Sequence, residues 1–184
     1  MTEGIVLAAG FSSRAKTNKM ILMVEEKELI LHTIATMHSV CEKIIVVTGH
    51  YHKDLVSLLA VYDYITIVFN ENYHSGMFSS IKKGVSITCQ DFFIIPGDAP
   101  TVKKETYFEI LAAKKKIVVP SYNMRLGHPI FFAKEFKDKI LNTSFTNLKD
   151  FRNAQDFHIL ETQDPGILLD IDNINDYNNL IRKD

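Results

Sequence analysis

Residues 4–10 read Gly-Ile-Val-Leu-Ala-Ala-Gly, a short apolar run that ends in small residues. We interpret its apolar part, Gly4–Ala8, as a strand, and three similar runs that end at turn residues follow at Lys43–Val47, Tyr64–Phe69 and Phe92–Ile95. Continuous apolar runs of this length are typical of strands buried on both faces of a parallel sheet, although periodicity alone leaves buried helix open. These four runs decide the fold class.

Apolar residues at helical spacing fill the stretches between and after these runs, at Ile30–Ser39, His52–Val61, Ser79–Val85 and Lys104–Lys114. Strands and helices that alternate at this rhythm predict an α/β fold, with a doubly wound, mostly parallel sheet and helices on both faces. Because the 184 residues contain neither repeats nor low-complexity linkers, we expect a single domain spanning residues 1–184.

Shorter elements are predicted in the last third of the chain. They comprise strands at Lys116–Val119, Gly127–Phe132, Phe157–Ile159 and Ile167–Asp170, one or two helices within Lys134–Phe151, and a last helix after Asn175.

Composition excludes several classes of function. The net charge of −1 argues against broad binding to nucleic acid or to an anionic membrane surface. No apolar run approaches the roughly 20 residues that span a bilayer, and the first residues do not resemble a signal peptide. Cys41 and Cys89 show no metal-binding spacing, so we expect two small buried side chains in a reducing compartment. We therefore expect a cytoplasmic protein.

The loop after the first strand has the composition of a phosphate-binding loop. In open α/β sheets ligands bind beyond the carboxyl ends of the strands, and the small pair Ala9-Gly10 lets a ligand approach the backbone there. Ser12, Arg14 and Lys19 then supply a hydroxyl and two cations, which together suit a polyphosphate. The alternative is a strand-to-helix turn with solvated charges. The loop is neither a Walker A motif nor a GxGxxG motif.

A carboxylate follows the fourth strand in the run Pro96-Gly97-Asp98-Ala99-Pro100. Asp98, fixed between two prolines at a strand end, is suitably placed to hold Mg²⁺ together with substrate phosphates. An aspartate in a Pro-Gly turn is also common in proteins without a metal, so an ordinary turn remains the alternative.

The segment from Asn70 to Ile81 follows the third strand and opens a helix. Gly76, Ser79 and Ser80 would let backbone and hydroxyl groups approach a base or a phosphate. The alternative is an ordinary capped helix start with Ser75 as the N-cap residue, and both roles can hold together.

The first loop resembles the N-terminal signature of a nucleotidyltransferase family, the one that includes the molybdenum cofactor cytidylyl- and guanylyltransferases. The matching positions spell LAAG-x-S-x-R with a lysine five residues later: Leu7, Ala8, Ala9, Gly10, Ser12, Arg14 and Lys19. The resemblance implies that this loop wraps a triphosphate and that Lys19 and Arg14, with Asp98, are catalytic. The family usually has Met-Gly or a similar pair where this chain has Ala15-Lys16.

Other segments extend the resemblance along the chain. PGDAP at 96–100 is similar to the family's PGDxP metal motif, and residues 70–81 are similar to the N-x5-G-M-x2-S-I segment of the cytidylyl branch, which favours CTP. The resemblance implies that Thr48, in Thr48-Gly49-His50, supports the nucleotide, and that Gly127-His128-Pro129 lies by the acceptor. The alternative for each of these two turns is a purely structural role.

Near the C-terminus the chain reads Asp170-Ile171-Asp172, similar to the family's DIDTPEDY ending. Alternation in an extended strand would point both carboxylates to one side, and the resemblance implies that Asp172, rather than Asp170, reaches the metal with Asp98. An acidic turn that caps the last helix is the alternative. Relatives carry a GDxGxR-like motif where residues 146–152 retain only Asp150 and Arg152 and lack the glycines.

The predicted function is transfer of CMP from CTP, or of another nucleotidyl group from its NTP, to a phosphorylated acceptor with release of pyrophosphate. The resemblance implies Mg²⁺ or Mn²⁺ as cofactor, a molybdopterin acceptor and a molybdoenzyme as partner. Two alternatives remain: a transferase for a sugar or polyol phosphate, and a catalytically weak nucleotide-binding accessory protein. Neither nucleic acid nor a membrane is expected as a partner.

Overall fold

The computed structural model describes residues 1–11, 18–171 and 174–181. Its strands are β1 (Thr2–Ala8), β2 (Met23–Val24), β3 (Lys27–Glu28), β4 (Lys43–Thr48), β5 (Ile65–Phe69), β6 (Asp91–Pro96), β7 (Ile117–Tyr122), β8 (Arg125–Leu126), β9 (Ile130–Phe132) and β10 (His158–Glu161). Its α-helices are α1 (Leu29–His38), α2 (His52–Leu59), α3 (Met77–Ile87), α4 (Lys104–Ala112), α5 (Lys137–Asn142), α6 (Leu148–Asn153) and α7 (Ile174–Ile181). Short 3-10 helices lie at Lys19–Ile21, Tyr73–Ser75, Lys134–Phe136 and Pro165–Leu168.

The central sheet has the strand order β10-β7-β9-β6-β1-β4-β5, with β8 paired to β7. β1 lies between β4 and β6 and runs parallel to both, and β5 continues the parallel part beyond β4. β9 is antiparallel to both β6 and β7, whereas β10 is parallel to β7. The mostly parallel, doubly wound α/β sheet predicted from the sequence is therefore confirmed.

Both faces of the sheet are covered, which explains the continuous apolar runs. In β1 the side chains alternate, so that Val6 and Ala8 pack in one core cluster while Ile5 and Leu7 pack in the other. The first cluster includes buried residues of α1, α2 and α4, and the second includes buried residues of α3, α5 and α6. No helix in the described part of the chain is long and apolar enough to cross a membrane.

Three local predictions are wrong. Ile167–Asp170 is not a strand, because Pro165 begins a 3-10 helix that Asp164 caps by accepting a hydrogen bond from the Gly166 amide at 2.8 Å. Ser75 is not the N-cap of α3, because Gly76 takes that position with a φ of 97°. Cys89 is exposed rather than buried, since it lies in the turn before β6, whereas Cys41 is buried as expected.

Gly84 sets the distance between α3 and the sheet. A Cβ atom at this position would lie 2.6 Å from Ile5 Cγ2 and 3.0 Å from Val47 Cγ2. Both methyl groups branch directly from the Cβ atoms of buried strand residues, so neither can swing away cheaply. The helix therefore rests on the sheet at a position where only hydrogen fits.

We expect Gly84→Ala to lower the free energy of unfolding by about 1–3 kcal/mol, because overpacking exceeds the gain in helix propensity. Chemical denaturation measures the change. Ser86→Ala, at an exposed position of the same helix, is the control and should stay within about 0.5 kcal/mol of the parent. A Gly84→Ala protein as stable as the parent would show that α3 can shift outward.

Candidate active site

Four loops meet at one edge of the sheet because β1, β4, β5 and β6 run parallel. Main-chain hydrogen bonds join the loops just beyond the strand ends: Gly97 N donates to Leu7 O at 2.9 Å, and His50 N donates to Ala9 O at 3.3 Å. Asn70 N likewise donates to Thr48 O at 2.9 Å. The loops that the sequence singled out therefore form one continuous surface, as the rule for open α/β sheets predicts.

Lys19 and Asp98 lie side by side in this surface. Lys19 begins a 3-10 helix that Asn18 caps, and its Nζ donates to Asp98 Oδ2 and, at 3.0 Å, to Ile171 O. The two side chains are only 14% and 9% exposed. Ile171 N also donates to Asp98 O at 2.9 Å, so the main chain at Ile171 is bound directly to that of Asp98. The structure thus brings together two of the three predicted catalytic residues.

The main chain before Asp98 is held on two sides. Thr33 Oγ1 of α1 donates to Gly97 O at 3.1 Å. A Cβ atom on Gly97 would lie 3.0 Å from Met20 Sδ and 3.2 Å from Leu7 O, so a larger residue would push this turn away from β1. Asp98 is consequently a carboxylate in a fixed position rather than one on a loose turn.

The donor groups at this point fit a cation that is shared with a bound phosphate. Among residues 1–11, 18–171 and 174–181, no three His, Cys, Asp or Glu side chains lie close enough to hold a metal. Asp172 lies outside the described residues, but it directly follows Ile171, whose amide is bound to Asp98 O. One or two carboxylates plus phosphate oxygens are the usual ligands of Mg²⁺, so Asp98 suits such a site, and the part of Asp172 in it stays a prediction.

Gly76, Ser79 and Ser80 shape the start of α3. The buried Asn70 donates through Nδ2 to Ser79 Oγ at 2.9 Å and to Ser80 Oγ at 3.0 Å. Ser79 Oγ in turn lies 2.8 Å from Gly76 O, and Gly76 has a φ of 97° and a ψ of 171°, a conformation essentially restricted to glycine. Their contact with a nucleotide stays a prediction. Asn70, the first residue of the N-x5-G-M-x2-S-I segment, bonds to both serines, a structural role that the sequence patterns did not assign to it.

Thr48 is fully buried at the end of β4. Its Oγ1 donates to Val68 O at 3.2 Å and lies 2.7 Å from His52 Nδ1, so the hydroxyl joins β4 to β5 and α2. The neighbouring Gly49 would bring a Cβ atom within 2.5 Å of Ala9 O. The turn after β4 therefore packs directly against the main chain of the first loop at Ala9. A direct contact of Thr48 with a nucleotide stays a prediction.

An aromatic cluster that sequence patterns do not predict surrounds Phe11 at the start of the first loop. The Phe11 ring lies 5.1 Å from that of His50 and 5.3 Å from that of Tyr73, measured between centroids. Tyr51 also donates its hydroxyl to Phe11 O at 3.3 Å. The signal in the sequence is an aromatic or His residue in each of three strand-end loops. Ser12 and Arg14 lie outside the described residues.

The predicted acceptor side is a cavity of about 440 Å³ beside the ends of β1 and β6. Its lining consists of Leu7, Met77, Ile81, Ile94, Pro96, Leu126, Gly127, His128, Ile130, Leu148, Lys149 and Arg152. Gly127 is packed so tightly that a Cβ atom would lie 2.2 Å from Ile167 O, and His128 N donates to the same oxygen at 2.9 Å. Gly127 and His128 therefore face this cavity, while Pro129 is buried beside them.

His128 is held in its neutral form. Burial is the largest cause that lowers the pKa of its imidazole, the Asp98 charge opposes it and the Arg152 charge adds to it, and together they bring the pKa to about 4. Its Nδ1 is inaccessible and has no hydrogen-bond partner in the described part of the chain. At neutral pH the ring therefore carries no charge toward an acceptor.

We expect the free energy of unfolding to fall as the pH drops from about 6.5 to 4, because the unfolded chain protonates His128 and the folded chain does not. The loss from this residue would reach roughly 3 kcal/mol at the acid end. Urea titrations at several pH values test this. His128→Gln should flatten the dependence, whereas His74→Gln, at an exposed position, should leave it unchanged. Equal slopes in all three proteins would contradict the assignment.

Comparison with known proteins gives concordant results. The chain is 30% identical over 176 residues, 94% of its length and 92% of the relative's, to the molybdenum cofactor cytidylyltransferase of Escherichia coli K12. A nucleotidyl transferase from Methanothermobacter thermautotrophicus has the same fold, with a TM-score of 0.83, 20% identity and coverage of 100% and 99%. Rv0371c from Mycobacterium tuberculosis, solved as a complex with manganese, gives a TM-score of 0.79 at 20% identity and the same coverage.

The sequence model of the MobA-like NTP transferase domain matches residues 4–158, which include β1 from Gly4 onward, the Lys19–Asp98 pair and the cavity. The match covers most of the chain and agrees with the resemblance first seen in the strand-end loops. This chain belongs to the MobA-like NTP transferase family and is a nucleotidyltransferase.

Proposed function

We propose that this protein transfers CMP from CTP to a phosphorylated acceptor of the molybdopterin type, with Mg²⁺ or Mn²⁺ as cofactor. The observation that carries the proposal is the junction of Lys19, Asp98 and Ile171, which puts a cation and a carboxylate at the carboxyl end of the central strands. The similarity to the Escherichia coli cytidylyltransferase, which aligns with nearly the whole chain, supports the choice of substrate class.

The proposed reaction needs little covalent chemistry from the protein. An oxygen of the acceptor phosphate attacks the α-phosphorus of CTP, the new P–O bond forms, and the bond to the bridging oxygen breaks to release pyrophosphate. The attacking phosphate is already anionic at neutral pH, so no general base is required. The protein therefore has to align the two phosphates and neutralise their charge.

Lys19 is proposed to change partners when the nucleotide binds. Its Nζ lies against Asp98 and Ile171 O, and the phosphates of CTP would offer stronger, fully anionic acceptors at the same place. Lys19, together with Arg14, then holds the leaving pyrophosphate. This exchange leaves the Asp98 carboxylate available for a cation.

Asp98 and Asp172 are the residues that would hold Mg²⁺ or Mn²⁺. When bound, the ion supplies positive charge to the phosphate oxygens that accumulate negative charge during the transfer. The fixed turn at Gly97 and the hydrogen bond between Ile171 N and Asp98 O support the proposal, because they hold the main chain of Asp98 and that of Ile171, the residue before Asp172, next to each other. The manganese complex of the mycobacterial protein Rv0371c, which has the same fold, is consistent with a divalent ion.

CTP is proposed over GTP because residues 70–81 resemble the cytidylyl branch. Gly10, Gly76 and Ser79 would place backbone groups near the base. The acceptor is less narrowly defined, since residues 146–152 lack the glycines of relatives, and a sugar or polyol phosphate is the competing acceptor. The molybdoenzyme partner stays a prediction.

CTP with Mg²⁺ should raise the melting temperature more than GTP, ATP or UTP does, because a ligand stabilises the state that binds it. A hundredfold excess of ligand over its Kd corresponds to about 2.7 kcal/mol of stabilisation. Thermal-shift titrations of the four nucleotides, each with and without Mg²⁺, measure this. The absence of a shift with every nucleotide would contradict a nucleotide site, and a larger shift with GTP would contradict the choice of base.

Asp98→Asn should reduce the rate of pyrophosphate release by about 100- to 1,000-fold, the usual cost of losing one electrostatic element of a transfer site. The exposed Asp63→Asn, which makes the same chemical change elsewhere, should keep the parent rate. A near-normal rate in Asp98→Asn would refute its role.

The choice of acceptor is tested by measuring pyrophosphate release from CTP with molybdopterin, a sugar phosphate and a polyol phosphate in parallel. We expect molybdopterin to give a kcat/KM at least about tenfold above the others. Faster pyrophosphate release with a sugar or polyol phosphate would show that this compound, and not molybdopterin, is the acceptor. Nucleotide binding without turnover of any acceptor would favour the accessory-protein alternative.

A further inference from the structure

Arg152 is a buried cation without a carboxylate partner among the described residues. It belongs to α6, is only 7% exposed and lines the 440 Å³ cavity. Its Nε and Nη2 donate to Asn153 Oδ1 at 3.2 and 2.7 Å, and its guanidinium carbon lies 4.9 Å from the centre of the Phe157 ring. Neither a neutral amide nor an aromatic ring compensates a full charge.

Such an arrangement is costly unless something else supplies the negative charge. Buried arginines are normally paired, because removing a guanidinium from water costs several kcal/mol. Burial also lowers the pKa of Arg152, in agreement with a poorly compensated charge. Nη1 makes no hydrogen bond to any described residue, so part of the planar donor fork remains for a ligand.

The rest of the cavity indicates what kind of ligand would carry that charge. Most of its wall is aliphatic and comes from the strand ends and from α3 and α6, and its volume suits a small organic molecule. Besides Arg152, the polar side chains among the lining residues are Lys149 and His128, and the buried His128 Nδ1 lacks a partner in the described part of the chain. The cavity thus combines apolar walls with a buried cation, Arg152, an exposed cation, Lys149, and a neutral imidazole.

We propose that Arg152 binds an anionic oxygen group, a phosphate or a carboxylate, on a molecule whose apolar or aromatic body lies against Ile81, Ile94 and Ile130. The assignment of this molecule as the acceptor rests on the proposed function. The cavity supports it, because Leu7 and Pro96 line its wall and directly precede the loops that carry Lys19 and Asp98. Arg152 is then a specificity-determining residue that rejects uncharged ligands of the same shape.

Titration calorimetry without nucleotide tests the proposal with phenyl phosphate, benzoate and benzyl alcohol as probes. Wild type should bind one or both anions and should bind benzyl alcohol at least about tenfold more weakly. Preference between phenyl phosphate and benzoate identifies the anionic group. Arg152→Gln should weaken anion binding at least about tenfold, and Arg152→Lys by less. The exposed Arg125→Gln, the matched control, should bind like wild type.

A purely structural Arg152 gives different results. Equal anion affinity in wild type and Arg152→Gln, or equal affinity for benzyl alcohol and the anions, overturns the proposal. The melting temperature without ligand is a second readout, since removing an uncompensated charge should leave it level or raise it in Arg152→Met. If the variants do not fold, the wild-type protein still tests the proposal through nuclear Overhauser contacts between the phenyl phosphate ring and the methyl groups of Ile81, Ile94 and Ile130. The absence of these contacts overturns the proposal.

The outcome can be separated from that of the proposed function. A CTP-dependent thermal shift combined with no dependence of anion binding on Arg152 removes this inference alone. Anion binding that depends on Arg152, without a shift from any nucleotide, keeps the cavity as an anion site and removes the proposed transferase substrates.

Discussion

The parallel pairing of β1 with β4 on one side and with β6 on the other is the constraint on which the site depends. Six residues of β1 are in register with each neighbour, and the side chains of β1 are buried on both faces. The three strands therefore end at the same level, and Gly97 N extends the pairing to Leu7 O. This is how Lys19 and Asp98, 79 positions apart in the chain, become neighbours.

The charges of Lys19 and of Arg152 are compensated in different ways. Lys19 and Asp98 compensate each other, so the ligand-free protein bears little electrostatic cost at the point where highly charged phosphates are proposed to bind. Arg152 has only an amide and an aromatic ring beside it among the described residues. A paired cation can exchange partners, whereas an unpaired buried cation favours whichever ligand brings an anion. Stability is given up in the second case, as is common at binding sites.

Sequence patterns predict the sheet, because strands buried on both faces need continuous apolar runs, and they place Lys19 and Asp98 at its carboxyl edge, because ligands bind there. The direct contact between the two side chains is known only from the structure. The patterns fail where one local interaction outweighs composition. Ile167–Asp170 has the residues of a strand, yet Pro165 and the Asp164 cap impose a 3-10 helix. The aromatic cluster around Phe11 joins loops far apart in the chain, and the spacing of residues within one loop carries no information about that contact.

The strand order also bears on how two substrates could meet. The loops after β1, β4 and β5 lie on one side of Asp98 and contain the glycines and serines proposed to hold CTP. The cavity that contains His128 and Arg152 reaches from Leu7 of β1 and Met77 of α3 across β6 to Ile130 of β9. Asp98 comes two residues after Pro96, which lines this cavity, and it also contacts Lys19. Displacement at phosphorus requires the attacking and leaving oxygens to lie roughly in line on opposite sides of the phosphorus. A nucleotide held by the strand-end loops and an acceptor held in the adjoining cavity would both reach Asp98, so the two phosphates could be aligned there without any large movement of the sheet.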